Sequence, residues 1–174
     1  MYIPGNSQPS RLLWGAFAAS LTPTGNTPFT STHPCLLIAG SALFKLVSRI
    51  VGSAKSAVPA LHDFSSDLEP ELHISLSRPI YLRAHQREDL KRAVKQIAEK
   101  TLPFVASFAQ LTQLANDEGT RTFLALEIGA GYHEFKCLAD MLTPTLHAIR
   151  QQEFYSTPRF HASIAWALLD WRPF

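Results

Sequence analysis

The sequence predicts an α+β domain made of two similar lobes, and three observations carry that expectation. LHISLSRP (72–79) and FHASIAW (160–166) repeat one pattern, His-x-Ser framed by apolar residues, about half a chain apart. Apolar alternation marks a half-buried strand, on which residues i and i+2 share a face. Each His therefore stands beside its Ser, while Leu72, Ile74 and Leu76, and Phe160, Ala162 and Ile164, turn to a core. Between and around the motifs the segments read as strand, helix, strand, helix, hairpin, helix, strand. That order suits mostly antiparallel pairing with helices packed on the outer faces. Finally, 174 residues with 46% hydrophobic and 17% charged content suffice for one sizeable core, or two small lobes sharing one. Two such strands facing each other bring two imidazoles and two hydroxyls to one cleft.

In chain order, residues 1–10 (MYIPGNSQPS) are rich in turn formers and read as a flexible terminus. Residues 11–174 form the single bilobal domain. RLLWGAFAA (11–19) reads as a first strand, and the Pro/Thr/Ser/Gly-rich stretch 20–34 as a loop or insertion. A helix starts near Ser41, with Leu43, Phe44, Val47, Ile50 and Val51 on one side and Lys45 and Arg49 outside. Gly52, Pro59 and Pro70 mark 52–70 as a connector, and Pro79 closes the first His-x-Ser strand.

The clearest helix is 86–100, with Leu90, Val94 and Ile97 in one stripe and Glu88 and Asp89 in the first turn, where the helix dipole favours anions. From Pro103 the stretch FVASFAQLTQL, the turn NDEG (116–119) and TRTFLALEI (120–128) read as a hairpin. Gly129 and Gly131 then precede a helix through Phe135, Leu138, Leu142, Leu146 and Ile149, kinked near Pro144. EFYSTPRF is a loop leading into the second His-x-Ser strand.

A net charge of +2 is too small for non-specific coating of nucleic acid, yet compatible with gripping a short anionic end. Cys35 and Cys137 stand apart, without metal-ligand spacing, and read as two buried thiols in a reduced compartment. The apolar run 36–51 is interrupted by Lys45, Ser48 and Arg49, a pattern for an amphipathic helix and not a membrane span. Residues 12–19 are too short and aromatic for a signal peptide. The basic tract Arg78, Arg83, Arg87, Lys91, Arg92, Lys95 and Lys100 reads as a solvated helix face, with guidance of RNA as the other reading.

Two His and two Ser support phosphodiester chemistry without a metal. A neutral imidazole removes a proton from an attacking hydroxyl, and a protonated one donates to the leaving oxygen; a pKa of about 6.5 supplies both forms near neutrality. Serine hydroxyls donate to phosphoryl oxygens as charge grows. On RNA the neighbouring nucleophile is the ribose 2′-OH, whose attack yields a 2′,3′-cyclic phosphate and a free 5′-OH. No Gly-x-Ser-x-Gly elbow surrounds Ser75 or Ser163, and no HExxH is present, so a serine nucleophile and a metal site are disfavoured. His33, His62, His85, His133 and His147 are scattered and read as surface or satisfied histidines.

Paired His-x-Ser motifs at this separation resemble the 2H phosphoesterase superfamily. SDLEPELHISLSRP (66–79), GTRTFLALEI (119–128) and FYSTPRFHASIAW (154–166) resemble the U6 snRNA phosphodiesterases within it, over roughly residues 60–170. Residues 20–40 match poorly, and Trp14 corresponds to the tryptophan opening the family's first strand. The resemblance implies a two-lobed, pseudo-twofold fold with antiparallel sheets lining a central cleft. It also implies metal-independent 3′→5′ trimming of the uridine-rich end of U6 snRNA, in the nucleus, by a monomer without cofactor. By it His73 and His161 are the acid–base pair, in either assignment, with Ser75 and Ser163 on the phosphate. Tyr155 stacks on the terminal base, and Thr157, Pro158 and Arg159 line the nucleotide pocket. Asp117 falls where relatives carry a base-contacting polar side chain; an ionised carboxylate only accepts hydrogen bonds, which puts uridine preference in question. Two other readings stand beside this one: a 2H enzyme acting on small or tRNA-derived cyclic phosphates, and a non-catalytic RNA-end-binding module.

Overall fold

Strand β4 (Glu71–Ser75) and strand β8 (His161–Leu168) carry the two motifs and lie next to each other, antiparallel. The computed structural model describes residues 12–13, 32–36, 42–63 and 71–169. Around the motif strands are β1 (Leu12–Leu13), β2 (Thr32–Leu36), β3 (His62–Asp63), β5 (Val105–Ala106), β6 (Phe108–Ala115) and β7 (Arg121–Ile128). The helices are α1 (Ala42–Ala57), α2 (Ala84–Lys100) and α3 (Tyr132–Ala148). The main sheet runs β2-β4-β8-β7-β6, with β3 also on β8, and β1 pairs with β5 in a separate ribbon. The two halves of the main sheet are joined through one residue pair of the motif strands, Ile74 opposite Ala162. Where the repeated motif led one to expect two similar lobes, the described strands form one main sheet whose parts meet at this pair.

One face of this sheet is buried by the helices. Leu72, Ile74, Leu126, Ile128, Ala162 and Ile164 share a cluster with Val47 and Val51 of α1, Leu90, Val94 and Ile97 of α2, and Phe135, Leu138, Leu142 and Leu146 of α3. These helix positions recur at three- and four-residue spacing, the stripe an amphipathic helix must bury. The β6–β7 hairpin is set by its turn: Asn116 Oδ1 accepts from the main-chain N–H of Thr120 and of Arg121, both at 2.9 Å. Gly119 supplies the left-handed backbone there (φ 66°).

Several elements differ from the sequence reading, each for a local reason. Residues 32–36, partly inside the expected loop 20–34, form an edge strand; Pro34 is tolerated because an edge strand needs no donor on its outer side. Helix α1 passes through Gly52 to Ala57, beyond the expected connector boundary, since Val51 is buried and tertiary packing outweighs a glycine. Within the connector, His62 and Asp63 pair with Trp166 and Ala165. Helix α2 begins at Ala84, so Glu88 and Asp89 lie past its first turn, which holds no acid. Helix α3 continues through Pro144. Cys137 is exposed, because it falls off the α3 stripe, and so is not a buried thiol. Residues 1–10, most of 11–19 and the connector residues 64–70 lie outside the described residues. Among the described residues no helix is long and apolar enough to cross a membrane.

Two glycines make opposite predictions. A Cβ on Gly52 meets nothing within 4 Å, whereas at Gly131 (φ 88°) it would sit 2.9 Å from Ala106 Cβ and 3.1 Å from Ala106 Cα. Urea unfolding should show Gly52→Ala stabilised by about 0.5–1 kcal/mol and Gly131→Ala destabilised by about 1–3 kcal/mol. Equal shifts in one direction would contradict this account.

Candidate active site

The pair Ile74–Ala162 decides where the motif side chains go. Both residues are fully buried toward the helices, so their neighbours on each strand face the other way. The same antiparallel register sets His73 across from Ser163, and Ser75 across from His161. The four residues thus form a cross-strand quartet on the face away from the helices, each His beside one Ser along its strand and opposite the other Ser across the ladder. His73 is exposed, and Ser75, His161 and Ser163 are half-buried. A phosphate laid on this face meets hydroxyls and imidazoles from both strands.

A bulge extends the same face along β8. Ser163 pairs with Ala125 but Ala165 pairs with Leu124, leaving Ile164 as the extra residue. Ile164 and Ala165 are both buried, the alternation shifts by one, and Trp166 returns to the outer face. There it stacks on His62, ring centroids 4.3 Å apart, with the Arg121 guanidinium 4.9 Å from its centroid.

His161 is held from two sides. Its Nδ1 lies 2.6 Å from the carbonyl oxygen of Arg159. A carbonyl only accepts, so Nδ1 carries the proton and Nε2 is the nitrogen left to exchange protons with a substrate. Across the ladder from His161 stands Glu127. Its carboxylate receives a two-pronged bond from Arg159, Nε to Oε1 at 2.9 Å and Nη2 to Oε2 at 2.6 Å, and a third from Gln110 Nε2 at 2.9 Å. Arg159 Nη2 also donates to Thr112 Oγ1 at 2.9 Å. The Arg159 fork brings the Glu127 carboxyl down to about 2, with smaller help from Gln110 and the nearby His161 charge.

A second cluster joins three separated loops. Tyr155 Oη donates to Asp117, 2.9 Å from Oδ1 and 2.8 Å from Oδ2, and Arg78 Nη1 donates to Asp117 Oδ2 at 3.0 Å. The Arg78 guanidinium lies 3.9 Å from the Tyr155 ring centroid. Burial, then the bond to Asp117, pushes the Tyr155 hydroxyl up, so the phenol stays a donor. Asp117 is therefore engaged with protein donors. In the same loop Pro158 is buried and Thr157 exposed, and the Arg159 guanidinium is committed to Glu127.

Sequence reading missed Arg78 and Glu127. Arg78 was grouped with a helix face, but it precedes α2 and turns to Tyr155 instead. Glu127 had a signal: one acid inside an otherwise apolar strand, at a position alternating away from Leu126 and Ile128. Of the remaining tract, Lys91, Arg92 and Lys95 pair with Glu88, Asp89 and Glu99 on the helix surface. Among the described residues no three His, Cys, Asp or Glu side chains converge as metal ligands would.

The depressed Glu127 pKa carries a sign. A carboxylate held at about 2 against an ordinary 4.5 contributes stability fully above about pH 4.5 and loses it as pH falls toward 2. At neutral pH Glu127→Gln should cost about 1–3 kcal/mol, the worth of hydrogen bonds to a charged group. In urea titrations across pH, the gap between wild type and variant should close through that acid window. A gap that is constant with pH would refute the assignment.

The family model described as HVSL, uncharacterised conserved protein, matches residues 38–173. Among curated relatives, U6 snRNA phosphodiesterase 1 of Danio rerio is 26% identical over 129 residues, covering 74% of this chain and 45% of the relative. The Drosophila melanogaster protein of that name is 29% identical over 130 residues (67% and 50%), and the Homo sapiens one 32% over 100 residues (58% and 38%). The chain spans about half the length of the curated relatives it matches, or less. Kluyveromyces marxianus Usb1, solved with uridine monophosphate, shares the fold with a TM-score of 0.56 at 14% identity, over 82% of this chain and 72% of that one. The family match takes in both His-x-Ser strands and the hairpin between them, and with the relatives it bears out the resemblance first carried by the twin motifs: the chain belongs to the HVSL family, and the curated relatives it is similar to are named U6 snRNA phosphodiesterase 1.

Proposed function

We propose that the chain is a metal-independent RNA phosphodiesterase that shortens RNA from the 3′ end, with the uridine-rich end of U6 snRNA as substrate. The observation that carries this reading is the Ile74–Ala162 pairing, which aligns two imidazoles and two hydroxyls on one face of the sheet. The relatives named U6 snRNA phosphodiesterase support the choice of RNA, and a nuclear location follows from that choice.

The terminal base stacks on Tyr155, a contact worth about 1–3 kcal/mol and tolerant of base identity. Thr157 and Pro158 line the same pocket. Asp117 and Arg159 act one step back, Asp117 by holding the Tyr155 hydroxyl and Arg159 by holding Glu127 and the His161 ring. Ser75 and Ser163 donate to the non-bridging phosphoryl oxygens. His161 Nε2 takes the proton of the penultimate 2′-OH, the 2′-oxygen bonds to phosphorus, and the bond from phosphorus to the 5′-oxygen breaks. That oxygen takes its proton from His73 and leaves with the terminal nucleoside. The shortened RNA ends in a 2′,3′-cyclic phosphate, and exchange of the two histidine roles hydrolyses it to a terminal phosphate.

A 5′-labelled oligouridine with a 3′-diol, incubated in EDTA, should give a ladder shortening from the 3′ end. His73→Ala and His161→Ala should each lose about 10²–10⁴-fold in rate while still binding RNA. The rate should follow a bell in pH set by the imidazoles, since Glu127 stays ionised down to about pH 2. Wild-type rates in both folded variants, or strict dependence on an added divalent ion, would overturn the mechanism. Cleavage confined to small cyclic phosphates would move the substrate, and tight binding without turnover would leave only an RNA-end-binding module.

A further inference from the structure

The segments that follow the first motif strand and precede the second run side by side. Arg78 lies over Tyr155; the Gln151 side chain accepts from Tyr81 N at 3.4 Å and donates to Tyr81 O at 3.3 Å; Gln86 Nε2 donates to Ile149 O at 3.3 Å. Where Tyr81 meets Gln151 and Gln86 meets Ile149, the seam borders a cavity of about 400 Å³ lined by Tyr81, Arg83, Gln86, Arg150 and Gln151 among others. Tyr81 is 68% exposed, a large aromatic ring left to solvent at the rim. The guanidinium groups of Arg83 and Arg150 have no ion-pair partner among the described residues, whereas Arg78, Arg92 and Arg159 are paired.

Arg150 is in an unusual backbone position. Helix α3 ends with Arg150 N bonded to His147 O at 3.0 Å and Gln151 N to Leu146 O at 2.8 Å, the paired bonds of a Schellman cap. The residue at that place is left-handed and usually glycine; here it is Arg150, at φ 58°, the one described non-glycine residue with positive φ. Left-handed backbone is disfavoured for an L-residue, whose Cβ crowds the following carbonyl oxygen. Helix termination alone would be served better by glycine, which takes this backbone without strain.

We infer that this cavity is a second RNA subsite, taking an internal phosphodiester between Arg83 and Arg150 with a base stacked on Tyr81. The inference rests on the RNA reading above. In an RNA ending in a 3′-diol the scissile phosphate is the last one, so any further phosphate bound by the protein lies 5′ to it. Planar guanidinium groups suit phosphate, and an exposed aromatic ring suits an unpaired base. The subsite therefore contributes affinity that grows with substrate length, without reading sequence.

Arg150→Gly tests this cleanly, because glycine is the residue the cap prefers and the fold is kept. Binding of 5′-labelled oligouridine, long and dinucleotide, is followed by anisotropy through a salt series, with His73→Ala as the background that prevents turnover. Arg150→Gly should weaken the long oligomer about 5- to 10-fold and the dinucleotide less. It should also lower the steepness of log affinity against log salt by about 0.7, one phosphate contact on a single strand. Arg83→Gln should act in the same direction, and thermal unfolding of Arg150→Gly should match or exceed wild type. Unchanged affinity and salt slope in both variants would overturn the subsite. Arg150-dependent binding by protein that leaves RNA uncut would keep the subsite and remove the catalytic reading. Cutting that is indifferent to Arg83 and Arg150 would keep catalysis and remove the subsite.

Discussion

The antiparallel contact between Ile74 and Ala162 is the constraint on which the rest depends. It is a single paired position between the two motif strands, and it is made by two fully buried apolar residues. Burying that pair toward the helices forces the residues on either side of it outward, because strand side chains alternate. A one-residue slip would send the imidazoles of one strand into the core and its apolar set into solvent. The hydrophobic core therefore sets the geometry of the polar quartet, and no contact among the polar groups themselves is needed to place it.

Around that quartet the protein uses charge to hold position. Arg159 serves twice: its carbonyl fixes the His161 tautomer, and its guanidinium grips Glu127 across the ladder. Satisfying the carboxylate with three donors leaves it ionised and otherwise occupied, so it orients neighbours and does not compete for the proton on His161. Asp117 has the same character on the other cluster, where it joins the Tyr155 hydroxyl to Arg78. Both carboxylates are thus structural partners of basic and phenolic groups.

The loop 151–160 is where these demands meet. It carries Tyr155 and Arg159 and is anchored at its far end by Phe160, whose ring packs with Tyr132 and Phe135 at the start of α3 and with Phe154 of the loop itself. At its near end the Schellman cap of α3 places Gln151 against Tyr81. A loop secured by aromatic packing at one end and a helix cap at the other can present polar side chains without a regular element beneath them.

The motif strands, helices α2 and α3, the β6–β7 hairpin and the His/Ser quartet were all legible in the sequence, because each rests on local periodicity or a local turn signal. LHISLSRP and FHASIAW carry their burial pattern in their own alternation. What was not legible depends on partners distant in the chain. Strand β2 contains a proline and is a strand only because β4 lies beside it; β3 is two residues long and exists only against β8. The outward turn of Trp166 needs a bulge at Ile164 that no local pattern announces. Arg78 and Glu127 gained their places only when segments 39 and 32 positions apart came together, at Asp117 and at Arg159. Alternation and turn chemistry are short-range physics, written in consecutive residues. Ion pairs, ring stacking and register depend on which surfaces the core brings face to face, and only the folded chain decides that.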